Sequence, residues 1–303
     1  GTAYTRAVIP TNGVAYITGH PAAPQLTARF KGLPWWIPVE WSGSLVTERS
    51  ERGTRDNRTL RSETLYGDDP YSIKEALTNE IVGGSVMMQA VIAESETIRY
   101  PFKIRGKNPP DATARAYIDE NVDAEFRDFA WMIAKHESKS LRRFFNQLNP
   151  DGDRKELPNK TAGANRWGWG MCQIDKGQFG DSTSEVYDWH VNVQSMNMTL
   201  REKRNEYLAF IRLYRNAYGN NQNWVEPTGF STNINGFAVS AETWGVLTLY
   251  NGKGGIPRQT IGTSSNQRSP LEFKPDVGTW VFHTNRNDYV TKVIKDRSGA
   301  ETE

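Results

Sequence analysis

The sequence predicts a two-domain α+β protein, β-rich over residues 1–110 and mainly helical over residues 111–303. Three observations carry that expectation. Apolar and polar side chains alternate in short runs before residue 110, as half-buried strands require. Pro109-Pro110 then cannot continue a strand ladder. From Asp111 onward apolar side chains recur at spacings of three and four, the period of an amphipathic helix. A chain of 303 residues can bury two cores.

In the first region Gln25–Phe30 alternates cleanly and reads as a strand ending before Gly32. Trp35–Trp41 is β-prone as well, with Pro38 marking an edge or a bulge. Thr47–Asp69 is charged and Arg-rich, which predicts a long solvated loop or a two-strand excursion rather than a binding patch. Pro70–Val82 reads as a short helix stopped by Gly83-Gly84. Ser85–Ala93 and Thr97–Arg105 read as two further strands. The pattern fits a small antiparallel sandwich of immunoglobulin-like type with one helical insert. Nothing in it gathers catalytic residues.

In the second region Phe126, Ala130, Ile133 and Glu137 share one helical stripe. Thr199-Leu200-Arg201-Glu202 reads as a capping box opening a helix whose face continues through Leu200, Tyr207, Leu208, Ile211 and Tyr214 until Gly219. Phe237–Tyr250 and Asn287–Lys295 read as two more helices.

The totals narrow the partners. Lys and Arg number 37 against 35 Asp and Glu, so nothing in the charge balance calls for nucleic acid or an anionic membrane. No run of about eighteen apolar residues is present to span a bilayer. The N-terminus lacks the basic, apolar, small-residue order of a signal peptide. It begins Gly-Thr-Ala without Met, as a processed chain, a cloning remnant or an excised piece of something longer would. The single Cys172 excludes an intrachain disulfide, and four scattered His give no metal-ligand spacing. Neither a metal nor a cofactor is expected. The many aromatics, 10 Trp, 12 Tyr and 12 Phe, serve core packing first and sugar or base stacking second.

The chemistry concentrates at Glu137, a carboxylate on an apolar helical stripe. Burying it ionised is costly, so it is either paired or sits at the lip of a cleft with a raised pKa. Pairing is the competing reading, because Lys135, His136, Lys139, Arg142 and Arg143 are close in sequence. Downstream, Trp167-Gly168-Trp169-Gly170-Met171-Cys172-Gln173-Ile174-Asp175 sets two Gly where backbone must approach something, then an amide and a carboxylate two apart. Trp167 and Trp169 flank that segment as candidates for stacking on a sugar ring. Tyr250-Asn251-Gly252-Lys253-Gly254-Gly255 lacks the Lys-Ser/Thr ending and the preceding strand of a phosphate loop, so nucleotide binding is not expected there.

Taken in order, these segments resemble the lysozyme-like superfamily, and within it the goose-type lysozymes and soluble lytic transglycosylases. The matching stretches are His136-Glu137-Ser138, Gly170-Met171-Cys172-Gln173-Ile174, Thr248-Leu249-Tyr250-Asn251-Gly252-Lys253-Gly254 and Asp288-Tyr289-Val290-Thr291-Lys292-Val293. Gln173-Ile174-Asp175-Lys176 is most similar to the goose-type form, and His190-Val191-Asn192-Val193-Gln194 resembles its His-Ile-x-Gln segment. The resemblance runs from about Asp123 to the C-terminus.

It implies cleavage of the β-1,4 bond between N-acetylmuramic acid and N-acetylglucosamine in peptidoglycan, with Glu137 as general acid. Gly170, Met171, Gln173, Tyr250, Asn251, Trp169 and Tyr289 would then grip the glycan. An inverting hydrolase needs a base about 6.5 to 9.5 Å from the acid; Asp175 matches the goose-type acidic position, and Asp151, Asp153 or Glu156 are substitutes in a loop that looks inserted. A lytic transglycosylase uses the muramic 6-hydroxyl instead. Met171-Cys172 replaces Leu-Met, and Gly252-Lys253 replaces Ala-Gly. The architecture suits a periplasmic or cell-wall activity, secreted or delivered as an antibacterial effector or lysin, with residues 1–110 as an adaptor to a fusion or delivery partner. An inactive wall-binding module and a chitinase-like enzyme are the alternatives.

Overall fold

The structure is a computed structural model that describes residues 5–8, 12–51, 54–138, 143–145, 156–158, 168–175, 186–251, 270–283 and 288–295. It is mixed α+β, with one five-stranded sheet, smaller sheets and several helices. The chain divides into two compact units, Gly1–Ala114 with Arg142–Asn192, and Arg115–Leu141 with Val193–Glu303. Residues 142–192, which the sequence grouped with the C-terminal region, therefore fall in the first unit.

In the first unit the larger sheet has the order β2-β8-β7-β4-β5, formed by β2 (Val14–Ile17), β4 (Pro38–Glu51), β5 (Thr54–Tyr66), β7 (Gly84–Ile92) and β8 (Glu96–Gly106). Its strands pair antiparallel except β2, which runs parallel to β8. The expectation of a purely antiparallel arrangement is corrected there. A smaller sheet joins β1 (Thr5–Val8), β3 (Thr27–Lys31) and β6 (Tyr71–Ser72). The core of the unit contains Trp41 of β4, stacked on Phe30 of β3 at 5.4 Å and on Tyr71 of β6 at 5.3 Å. All three rings are almost fully buried, and aromatic pairs of this kind add to their area burial.

The strands at 84–92 and 96–106 fall where alternation put them. The Arg-rich stretch is the two-strand excursion, a long hairpin of β4 and β5 with register shifts at Trp41/Gly43 and Val46/Ser50. The strand expected over Trp35–Trp41 begins only at Pro38, because Trp35 and Trp36 sit in the preceding turn. The helix expected over Pro70–Val82 shrinks to α1 (Ile73–Ala76), capped by the Ser72 hydroxyl. Four residues supply too few internal bonds to propagate further.

Specific contacts hold the later segment in this unit. The Asn108 amide brackets the backbone of Phe145, donating to its carbonyl at 3.0 Å and accepting from its N–H at 2.6 Å. Glu156, at φ +63°, accepts from the Tyr16 hydroxyl at 3.0 Å, and its carbonyl accepts from the Gly106 N–H. The Trp189 indole donates to the Gly19 carbonyl at 2.9 Å.

The second unit holds most of the helices: α2 (Asp111–Asn121) from Arg115 on, α3 (Arg127–Ser138), α4 (Trp189–Tyr218) from Val193 on, α5 (Ala241–Tyr250) and α6 (Tyr289–Lys295). Between them lie two hairpins, Ser231–Ile234 with Phe237–Ser240 and Leu271–Lys274 with Thr279–Phe282. Phe126, Ala130 and Ile133 are buried, as one apolar stripe requires. The capping box is a correction. Helix α4 begins ten residues before Thr199, whose buried hydroxyl donates to the Ser195 carbonyl within the helix. The helix expected over 237–250 is split: Phe237–Ser240 is strand, and Ser240 caps α5 by accepting from the Thr243 N–H. Gly245 lets α5 approach α4, since a Cβ there would lie 2.3 Å from the Tyr207 ring. Phe273, Trp280, Tyr214 and Trp224 form the aromatic part of this core.

Candidate active site

Glu137 lies in the last turn of α3, on the stripe that buries Phe126, Ala130 and Ile133. Burial pushes its carboxyl pKa up, because an ionised group loses water it cannot replace. Its position near a helix C-terminus acts in the same direction, since the unpaired carbonyls there repel negative charge. Two neighbours oppose the shift. The Tyr289 hydroxyl donates to Glu137 Oε1 at 2.6 Å, and the adjacent His136 favours the ionised form electrostatically. Burial outweighs both, so the proton is held more tightly than on a free carboxyl, and the carboxylate left on its release is stabilised by the Tyr289 hydrogen bond.

Tyr289 opens α6, which packs against both α3 and α5. It is 4 % exposed, its ring meets His136 edge-on at 5.3 Å, and it stacks against Tyr250 at 6.5 Å. The second unit thus brings Glu137, Tyr250 and Tyr289 together, from three segments that lie far apart in sequence. Tyr289, expected to touch substrate, contacts the Glu137 carboxyl. Asn251 caps α5 directly after Tyr250. Its Nδ2 is buried with no hydrogen-bond partner among the described residues, and the same holds for Oδ1 of Asp288, which precedes Tyr289 at φ +49°. A buried donor and a buried acceptor left unpaired beside two site tyrosines are suited to a polar ligand. In the sequence Asp288 stands only as the first residue of the Asp288–Val293 stretch, and an Asp directly before a helix is the one signal that points to it.

The other expected site residues belong to the first unit, in a short hairpin of β9 (Gly168–Trp169) and β10 (Ile174–Asp175). Gly170 at φ +76° turns the chain, and a Cβ there would come within 2.5 Å of the Phe144 ring and 2.8 Å of Asn192 Nδ2. Gln173, at φ +49°, folds back so that its Nε2 donates to the Gly170 carbonyl at 2.8 Å. Met171 and Cys172 are fully buried and Trp169 nearly so, which makes them part of the hairpin's own packing. Asn192, 0 % exposed, locks the turn: its Oδ1 accepts from the Cys172 N–H and its Nδ2 donates to the Trp169 carbonyl, both at 2.9 Å. That clamp was hidden in a segment the sequence offered only as a resemblance.

Asp175 ends β10 with its Cα opposite Gly168, but its side chain lies outside the described residues. Trp167, Asp151, Asp153, Lys176 and Gly252–Gly255 also lie outside them. Glu156 is described, and its carboxylate is engaged by Tyr16. Among the described residues no group of three or more His, Cys, Asp or Glu could hold a metal ion, and no helix is long and apolar enough to cross a membrane. Compared with protein-family models the chain matches none, and comparison with curated proteins gives no match either.

Proposed function

We propose that the chain is a peptidoglycan-degrading glycosidase, a muramidase or lytic transglycosylase, that cleaves the β-1,4 bond between N-acetylmuramic acid and N-acetylglucosamine. The observation that carries this reading is the half-buried Glu137, with its proton held by burial and its Oε1 bonded to Tyr289. Glycosidic cleavage needs a carboxyl that is still protonated near neutral pH and can release its proton as the leaving oxygen takes it. Glu137 protonates that oxygen. Tyr289 then stabilises the carboxylate left behind, and Asn251 and Asp288 offer a donor and an acceptor to ring substituents. The lysozyme-like character of the second unit and the immunoglobulin-like character of the first are part of the same proposal, as is action in the periplasm or on the cell wall.

Transglycosylation has a specific point in its favour. Of the substitutes for a base, Glu156 is occupied by Tyr16, and neither Tyr289 nor Asn251 can take a proton from water at neutral pH. The muramic 6-hydroxyl needs no fixed water. Hydrolysis through Asp175 or Asp288 is the competing route.

The test is digestion of purified sacculi by wild type and Glu137→Gln, with mass spectrometry of the released muropeptides. Loss of about 10²-fold or more in the variant is expected, the usual worth of a positioned acid. Products one water lighter, carrying 1,6-anhydro ends, identify transglycosylation. Equal release by both proteins sinks the enzymatic reading, and preferential cleavage of chitin oligomers redirects it to a chitinase.

A further inference from the structure

The first unit exposes aromatic surface that the cleavage chemistry does not use. Trp35 is 78 % exposed, Trp36 59 % and Tyr66 52 %. Trp41, Trp169, Trp189, Trp244 and Trp280 are buried and Trp131 and Trp224 are partly covered, so Trp35 and Trp36 are the most exposed indoles among the described residues. Two adjacent indoles left in water mark a contact surface.

The turn that carries them is built firmly. The Ile37 N–H donates to the Pro34 carbonyl at 3.0 Å, and the Gly67 N–H donates to the Ile37 carbonyl at 2.9 Å. Gly67 takes φ +59° and passes so close that a Cβ would lie 2.7 Å from Trp35 Cα. Tyr66 ends β5 opposite Pro38, which puts its ring on the same end of the sheet. The two indoles meet edge to face at 5.7 Å and 89°, leaving broad π-surface uncovered. Around them the exposed charges are mostly acidic. Asp68 and Asp69 follow Tyr66, Glu40 follows on β4, and the Ala93–Glu96 turn, tied to Pro38 through the Ala93 N–H, adds Glu94 and Glu96. The exposed cations nearest in sequence are Arg29 and Lys31 on β3 and Arg61 on β5, the last of them 4.0 Å from Glu63.

Flat aromatic faces bind flat apolar faces, and a pyranose ring offers one through its axial C–H groups. Carboxylates beside the ring accept its equatorial hydroxyl and amide protons. An anionic bilayer is the other common partner of exposed Trp, but it would face the acidic surround with a continuous layer of like charge, whereas the N-acetylhexosamine rings of a glycan strand are themselves uncharged. We propose that Trp35, Trp36 and Tyr66, with their acidic rim, form a glycan-holding surface for N-acetylhexosamine strands, built from residues the cleavage chemistry does not use. The identity of that glycan as peptidoglycan rests on the function proposed above.

The test measures co-sedimentation with sacculi in the Glu137→Gln background, so that binding is read without digestion. Adding Trp35→Ala and Trp36→Ala is expected to weaken binding about tenfold, the loss of one to two aromatic contacts. Cleavage of short soluble muropeptide chains by the Trp35→Ala/Trp36→Ala protein with Glu137 intact stays at the wild-type rate. A second readout needs no variant: chitotetraose or soluble glycan strands should shield the exposed indoles of the Glu137→Gln protein from acrylamide quenching. Unchanged sedimentation and unchanged quenching overturn the proposal. So does Trp-dependent binding to phosphatidylglycerol vesicles in place of sacculi, or a self-association lost in the double variant. If wild type fails to cleave yet sacculi still bind through the indoles, the cleavage reading fails and this one stands.

Discussion

Removing one hydroxyl at Tyr289 should move the pH range of activity without removing the acid. Tyr289→Phe keeps the ring that packs on His136 and Tyr250 and deletes only the donor to Glu137 Oε1, 2.6 Å away. That hydrogen bond favours the ionised carboxylate, against a burial effect that favours the neutral acid. Hydrogen bonds to charged groups contribute about 1.5–3 kcal/mol. Tyr289 is 4 % exposed, so water does not readily replace it. Its loss should therefore make Glu137 harder to ionise, by roughly ten- to a hundredfold on that scale. The acid then stays protonated to higher pH, and the alkaline limb of the activity profile moves upward by about one to two pH units. The maximal rate should fall at the same time, because the carboxylate formed on proton transfer has lost its partner. The assay is muropeptide release across a pH series, with thermal melts to show that the variant is folded. An alkaline limb that stays in place, or moves down, refutes the argument that Tyr289 stabilises the ionised form.

Two further outcomes concern stability. Because the folded-state pKa of Glu137 is raised above its usual 4.5, the native protein binds more protons than the unfolded chain between those two values. Its contribution is fully present below about 4.5 and is lost as pH rises through the folded-state pKa. Glu137→Gln should therefore melt higher than wild type at neutral pH and equal to it near pH 4; an identical difference at both pH values contradicts the assignment. Asn192→Ala removes the two hydrogen bonds by which Asn192 holds the 168–175 turn, from the Cys172 N–H and to the Trp169 carbonyl, so chemical denaturation should show a loss of about 2–4 kcal/mol. A loss under about 0.5 kcal/mol means that the turn holds itself.

Local pattern in the sequence located what depends on local pattern. The strands at 84–92 and 96–106 and the stripe leading to Glu137 follow from alternation and from the 3.6-residue period. Elements fixed by tertiary context were misread. Thr199 with Glu202 carries every local mark of a helix start, yet the turn before it is already helical, its buried face supplied by Trp189, Val193 and Met196. Trp35-Trp36 looks like strand by propensity, but Gly67 closes against that turn and strand pairing starts at Pro38. The contact of Tyr289 with Glu137 joins groups 152 residues apart, and no spacing rule reaches that far. Residues 142–192 cluster with the first unit although the sequence groups them with the C-terminal region, and the single hydrogen bonds that join them to it, through Asn108, Tyr16 and Trp189, carry no periodic signal.

The interleaved path of the chain has a consequence for synthesis and for dissection. The polypeptide leaves the first unit at Ala114, contributes the Glu137 helix to the second, returns at Arg142, and departs again after Asn192. On a ribosome, the first unit cannot close until residue 192 has emerged, so its sheet must wait with the Asn108 bracket and the Gly19 carbonyl unfilled. No single cut of the gene yields either unit whole. A truncation at the Pro109-Pro110 boundary, attractive on sequence alone, would strand the sheet without Phe145, Glu156 and Trp189, and a fragment begun at Asp111 would carry their unpartnered halves.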